Sequence, residues 1–254
     1  MRLVAFCEAA ADFQIASDLV DRVLRDHGER WISDLLETAP VGVRSWRGDG
    51  GGRPFFVVSA LAAYADKLAV RVPHGHFEGQ PGAADAMMGR TALAIARKLA
   101  KQAEGVDAVL LLRDLDDQPE RKAGLGQARA EACSWASFAI VVGGANPKRE
   151  AWVLCGFEPQ DPDEQGRLDE LRQELGFHPH LEAHQLSAKD EQAKRSAKRV
   201  LRILTDGEGD REQRCWTVTS LDTLRARGVA TGLCEFLDEV AQHLLPLVAR
   251  SQAP

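Results

Sequence analysis

Apolar residues in this chain recur in two rhythms. Continuous runs such as Leu3-Val-Ala-Phe-Cys7, Ala108-Val-Leu-Leu-Leu112 and Phe138-Ala-Ile-Val-Val142 read as strands buried on both faces of a sheet. The spacing predicts a first strand over 2–7 and two shorter strands over 54–58 and 68–72, with a short helix near Leu61 between them. The second rhythm is helical. Ile15, Leu19, Val20, Val23 and Leu24 mark a helix over 13–25, and Met88, Leu93, Ile95, Ala96 and Leu99 mark another over 85–102. Pro119 opens a third over 120–135, and Pro147 can open a helix whose first turn holds Lys148, Arg149 and Glu150. This alternation predicts an α/β fold with a mostly parallel central sheet flanked by helices.

Beyond residue 158 the composition changes. A linker at 159–163 leads into helical segments around 164–175, 189–204, 220–227 and 233–248, and no internal repeat is visible. The chain therefore divides into an α/β core over 1–158 and a helical C-terminal extension over 159–254 packed on it. The tail from Ser251 is expected to fray.

Composition narrows the classes of function. Of 254 residues, 44% are hydrophobic and 28% charged, and no run approaches the roughly 18 apolar residues of a membrane span. No membrane insertion is expected. The amino terminus turns acidic at Glu8 after few apolar residues, too soon for a secretory signal, so the cytoplasm is the expected compartment. A net charge of −6 excludes a global basic field, so a polyanion has to be met locally or through a partner. The 5 cysteines are widely spaced without a Cys-x-x-Cys pair, which predicts reduced thiols rather than disulfides or a zinc cluster. Cys7 lies inside the first strand and reads as a core thiol. His74 and His76, and His178, His180 and His184, lack zinc-site spacing and read as loop residues. The glycine-rich loop over 44–53 lacks the Lys-Ser/Thr ending of a P-loop.

The chemistry concentrates where strands end. Asp114, Asp116 and Asp117 follow an apolar run, at the edge where parallel sheets bind ligands. Crowded carboxylates repel unless a hard cation neutralises them, and on this segment alone a cation site and a solvated acidic loop weigh equally. Glu8 follows the first strand and Glu150 the run over 138–142, so neighbouring strands would bring the acids to one edge. Asp117 is the doubtful ligand, because adjacent side chains on extended backbone point apart. Lys148 and Arg149 stand beside Glu150 to meet a phosphate. Lys194, Lys198 and Arg202, spaced by four, make either a phosphate-tracking stripe or a solvated helix face, the latter weighing more.

Glu8 after the first strand, Asp114-Leu-Asp116 after a later one, and Asn146-Pro-x-x-Glu150-x-Trp152 opening the next helix together resemble the Toprim fold. That superfamily includes topoisomerases, primases and overcoming-lysogenization-defect nucleases; the second motif is similar to small bacterial Toprim-like proteins of phage-defence loci. The resemblance spans roughly residues 1–157. Two departures stand out: Ala9 replaces the usual glycine or small residue after the glutamate, and residues 31–82 form a long insertion. The resemblance implies Mg²⁺ or Mn²⁺ held by Glu8, Asp114, Asp116 and Glu150. It further implies phosphodiester cleavage of DNA or RNA, with Glu8 as general acid/base or metal ligand and Lys148 on the phosphate. Lys148, Arg149, Lys194, Lys198 and Arg202 would contact nucleic acid. A phage-defence or DNA-repair setting, a partner ATPase and self-association follow as expectations. The competing expectation is a Toprim-like assembly or sensing module without turnover. A phosphatase with an Asp-x-Asp nucleophile ranks below both, because its motif follows the first strand, whereas here it comes late and leads into Gln118-Pro119.

Overall fold

The three continuous apolar runs become three adjacent strands of one parallel sheet in the computed structural model of the protein, which describes residues 1–250. After β1 (Arg2–Cys7) come α1 (Ala10–His27), α2 (Arg30–Thr38), the short strands β2 (Ser45–Trp46) and β3 (Phe56–Val57), and α3 (Leu61–Lys67). The alternation continues through α4 (Ala86–Ala100), β4 (Ala108–Asp114), α5 (Pro119–Cys133) and β5 (Ala139–Ala145). The rest is helical: α6 (Arg149–Cys155), α7 (Pro162–Leu175), α8 (Ala197–Leu204), α9 (Gly209–Thr217), α10 (Leu221–Arg227) and α11 (Leu233–Arg250).

The strand order is β2-β1-β4-β5, all parallel, with β3 also paired to β1. β2 meets Arg2 and Leu3 while β3 meets Phe6 and Cys7, and β4 pairs with Leu3 through Phe6. Since β4 occupies one edge of β1, β2 and β3 share the other as a single interrupted strand. Residues 31–82 thus supply an edge of the sheet itself.

Strand alternation splits the core in two. Leu3, Ala5, Cys7, Leu110 and Leu112 face α1, α6 and the C-terminal helices, whereas Val4, Phe6, Val109 and Leu111 face α4 and α5. The helices after α6 share the first of these clusters with α1, so they close over one face of the sheet. Helix α11 runs along β5, the other edge, and Glu239 accepts the Val142 N–H at 3.3 Å. Beside it, Thr231 O accepts from the Asn146 N–H at 2.9 Å. A side chain at Gly232, where φ is +80°, would collide with Gly144 O, so close docking there requires glycine. Arg211 and Glu164 form a buried pair at 2.5 Å that ties α9 to α7.

Several expected boundaries move. No strand forms over 68–72: Val70 N–H bonds Ala65 O to close α3, and the chain then crosses the surface. Helix α8 is shorter than the predicted 189–204 because Ser196 caps it, accepting from the Arg199 N–H, while Ser187 and Ser196 form a bridge. Pro147 follows a cis peptide bond and lies before α6, which begins at Arg149 with Lys148 as its N-cap residue. Helix α9 was not foreseen. The tail expected to fray lies outside the described residues. Among those described, no helix is long and apolar enough to cross a membrane.

Candidate functional site

Parallel pairing puts the carboxyl ends of β1, β4 and β5 on one edge, from which Glu8, Asp114 and Glu150 follow. The Glu8 carboxylate turns onto β4, where Oε1 accepts the Asp114 N–H at 3.3 Å and the Arg113 guanidinium at 2.5 Å. Alternation sends Arg113 and Asp114 to opposite faces. Arg113 reaches Asp85, just ahead of α4, at 2.8 Å. Asp114 faces α1 and α6, accepting the backbone N–H of Arg149 at 2.8 Å. That N–H belongs to the first turn of α6, where helix amides lack intrahelical partners.

Asp12 completes the group. It sits in the first turn of α1 and accepts the N–H of Glu8 at 3.1 Å and of Ala9 at 2.8 Å. The Arg149 side chain binds Glu212 of α9 at 2.7 Å and Glu150 at 3.3 Å, and lies 3.7 Å from Asp12. Asp114 is left without a cation: among the described residues, no lysine or arginine side chain pairs with it. Burial, then the charges of Asp12 and Glu8, push its carboxyl up to about 7; the Arg149 N–H works against this and Glu150 adds to it. Burial also raises Asp12, aided by Glu8 and Glu150 and opposed by the Ala9 N–H and Arg149. A cavity of about 20 Å³ between Asp12, Asp114, Arg149 and Trp152 has room for about one water.

Asp116 and Asp117 part from this group. Both adopt left-handed backbone, φ +49° and +58°, in a turn held by Leu115 N–H to Ala145 O and Asp116 N–H to Pro147 O. Aspartate tolerates that conformation better than most residues. The Asp116 carboxylate accepts from Arg121 at 2.8 Å, and Asp117 accepts from the Asn146 amide at 3.2 Å. Asp116, expected as a ligand beside Asp114, instead pairs with α5. Arg113, Asp85 and Arg121 form the chain of charges that links Glu8 to Asp116.

The expected phosphate contacts divide similarly. Lys198 pairs with the exposed Glu191 at 2.6 Å, and Lys148 and Arg202 lie close enough to act on the same carboxylate. These three gather on the Glu150 side of the site. Lys194 precedes α8 and is off its face, and Arg149 is committed to Asp12, Glu150 and Glu212. The histidine pair His178 and His180 packs edge to face at 5.9 Å.

The oxygen-only set of Glu8, Asp12, Asp114 and Glu150 suits a hard cation chemically. Its spacing is not preassembled: among the described residues, no group of three or more His, Cys, Asp or Glu is placed to hold a metal ion. Arg113 and Arg149 take up part of the negative charge instead. Sequence reasoning missed Asp12, whose signal was its place three residues past Ala9, where an acid can cap a helix that follows a strand. Asp85 and Glu212 carried no local signal. No family model matches the chain, and no curated protein or solved structure is detectably similar to it.

Proposed function

We propose that this protein is a Toprim-like, divalent-cation-dependent phosphodiesterase acting on nucleic acid, in the cytoplasm and as a subunit of a phage-defence or DNA-repair system with a partner ATPase. The observation that carries this reading is Asp114: a half-buried carboxylate at a parallel strand end, surrounded by Glu8, Asp12 and Glu150 and lacking a cationic side-chain partner. Mg²⁺ or Mn²⁺ would be held by Asp114 and Glu8, with Asp12 or Glu150 completing the oxygen set. Such an ion polarises a phosphate and stabilises the oxygens that attack and leave. Asp116 drops to a supporting role, steadying the turn through Arg121.

The chain's own groups have separable tasks. Glu8, exposed and at the rim, either shares the cation or, where Asp12 or Glu150 holds it beside Asp114, moves a proton at its Oε atoms. Arg113 positions Glu8 and, when a cation takes that carboxylate, has its Nη1 end free to meet a phosphate while Nε stays on Asp85. Lys148, Lys198 and Arg202 supply charge on the approach beside Glu150.

The test is cleavage of plasmid DNA and of RNA with Mg²⁺ or Mn²⁺, alongside calorimetric titration of each metal. Wild type is expected to bind and cleave, and Glu8→Gln and Asp114→Asn to lose at least about a hundredfold in rate, as expected when a group stabilising the transition state is removed. Equal cleavage by the variants would remove the assignment. The engagement of Glu8 by Arg113 and of Glu150 by Arg149 favours a second reading, an assembly or sensing module whose carboxylates are internally neutralised. Absence of metal binding by wild type would select it.

A further inference from the structure

An imbalance of charge lies away from the strand ends, on the flank formed by α4, the 69–73 segment and the end of α5. A cleft of about 350 Å³ opens there, within the range of about 300–1,000 Å³ usual for small-molecule sites. Arg71 lines one wall and Arg97, Lys98 and Lys101 line the other. In a chain of net charge −6, Glu131 is the one acid in its lining. Arg90 already holds that acid, at 2.6 Å. Among the described residues, Arg71, Lys98 and Lys101 have no carboxylate partner, and Arg97 is engaged by the Trp135 ring, 4.7 Å from its centroid.

The α4 dipole explains part of this arrangement. Cations in the last turn of a helix are favoured, which accounts for Arg97, Lys98 and Lys101 as a group. It does not account for Arg71, which comes from a separate segment and lines the same cleft. The wall carrying Arg71 is also braced. Arg90, buried under the cleft, donates to Pro73 O at 2.9 Å and His76 O at 2.9 Å, and its guanidinium lies 3.6 Å over the Phe77 ring. The segment is thereby fixed against α4. Val70, Ala94 and Trp135 add apolar surface to the same cleft.

We propose that this cleft binds a nucleoside polyphosphate. Its phosphates would lie among Arg71, Lys98 and Lys101, and its ring system against Val70, Ala94 and Trp135. Lys98 in the last turn of α4 and Lys101, its C-cap residue with helical backbone angles, are three residues apart and so neighbours on one face, and they can share a phosphate chain that Arg71 meets from across the cleft. Free phosphate would leave the apolar surface unused. A polynucleotide would have no need of a bounded cleft. From Asp85 to Arg97 the helix axis advances about 18 Å, so the ligand would bind apart from the acidic site. The proposal does not depend on the nuclease reading.

Binding is measured with an N-methylanthraniloyl nucleoside triphosphate on the full chain in excess EDTA, which silences any cation at the acidic site. The signal is energy transfer from tryptophan. Wild type is expected to bind, tripolyphosphate to compete, Lys98→Ala/Lys101→Ala to bind about tenfold or more weakly, and Trp135→Phe to lose most of the transfer. Asp114→Asn should bind like wild type. No binding up to about 1 mM nucleotide, a ceiling near −4 kcal/mol, would overturn the proposal. So would unchanged affinity in the double variant, or binding of a single-stranded oligonucleotide in preference to the nucleotide.

Discussion

The strand-end site and the α4 cleft handle charge in opposite ways. At the strand ends, acids and arginines interlock: Glu8 with Arg113, Asp85 with Arg113 and Arg121, Asp116 with Arg121, and Arg149 with Asp12, Glu150 and Glu212, leaving Asp114 as the half-buried acid without a cation, while the exposed Asp117 holds only the Asn146 amide. In the cleft the acid is spent on Arg90 and the outer cations stay unmatched. A region whose charges are mutually satisfied needs little from solution, and what it does need is set by its odd member. For Asp114 that is a proton or a cation. The cleft needs anions, several at once.

The contrast can be broken first inside the cleft. Arg90→Ala removes a buried guanidinium and strands Glu131 together with the carbonyls of Pro73 and His76, so a loss of about 2–4 kcal/mol is expected by denaturant unfolding. A loss below about 1 kcal/mol would mean that the 73–77 segment is not held by this residue.

The next effect belongs to Asp114. Because the folded carboxyl sits at about 7 against an ordinary value near 4, the native state binds the extra proton between those values, and stability falls as pH rises through that window. Asp114→Asn should therefore be more stable than wild type by about 1–3 kcal/mol at pH 8, with the gain shrinking as pH drops towards 4. Thermal unfolding at several pH values checks this. If Mg²⁺ occupies the site, saturating Mg²⁺ should raise the wild-type midpoint at pH 8 and leave the variant unmoved. A variant whose advantage over wild type is no larger at pH 8 than at pH 5 would mean that Asp114 is not starved of positive charge. The smallest effect sharpens the comparison: Lys98→Ala, exposed and unpartnered, should change stability by no more than about 0.5 kcal/mol. A larger loss would show that Lys98 has a structural partner.

What was legible in the sequence follows from length of pattern. Strands β1, β4 and β5 and helices α4, α5 and α11 stand out because continuous or periodic apolar runs leave few alternatives. Strands β2 and β3 are two residues each, too short to carry a period, and α9 begins Gly-Asp-Arg-Glu-Gln-Arg, with little apolar signal before Cys215 and Trp216. Of the site, Glu8, Asp114 and Glu150 could be placed from strand ends alone. Asp116 could not be excluded by order, since its departure depends on two consecutive left-handed residues and on Arg121 arriving from α5. Arg113 was hidden by its position within the strand, where only alternation reveals that it points away from Asp114. The α4 cations were each visible in the sequence, but Arg71 joins them only through the surface path of a segment that reads as a strand.

The covering of β5 by α11 bears on how copies of this chain can meet. An exposed strand edge offers unpaired amides and carbonyls on which another chain can grow, the first step towards edge-to-edge aggregation. Here the Val142 amide is already answered by Glu239, the Asn146 amide by Thr231, and the backbone at Gly232 is pressed against Gly144. A second copy therefore finds no bare strand at β5 to extend, and any assembly on that side must be built from helix surfaces, whose side chains can specify a partner.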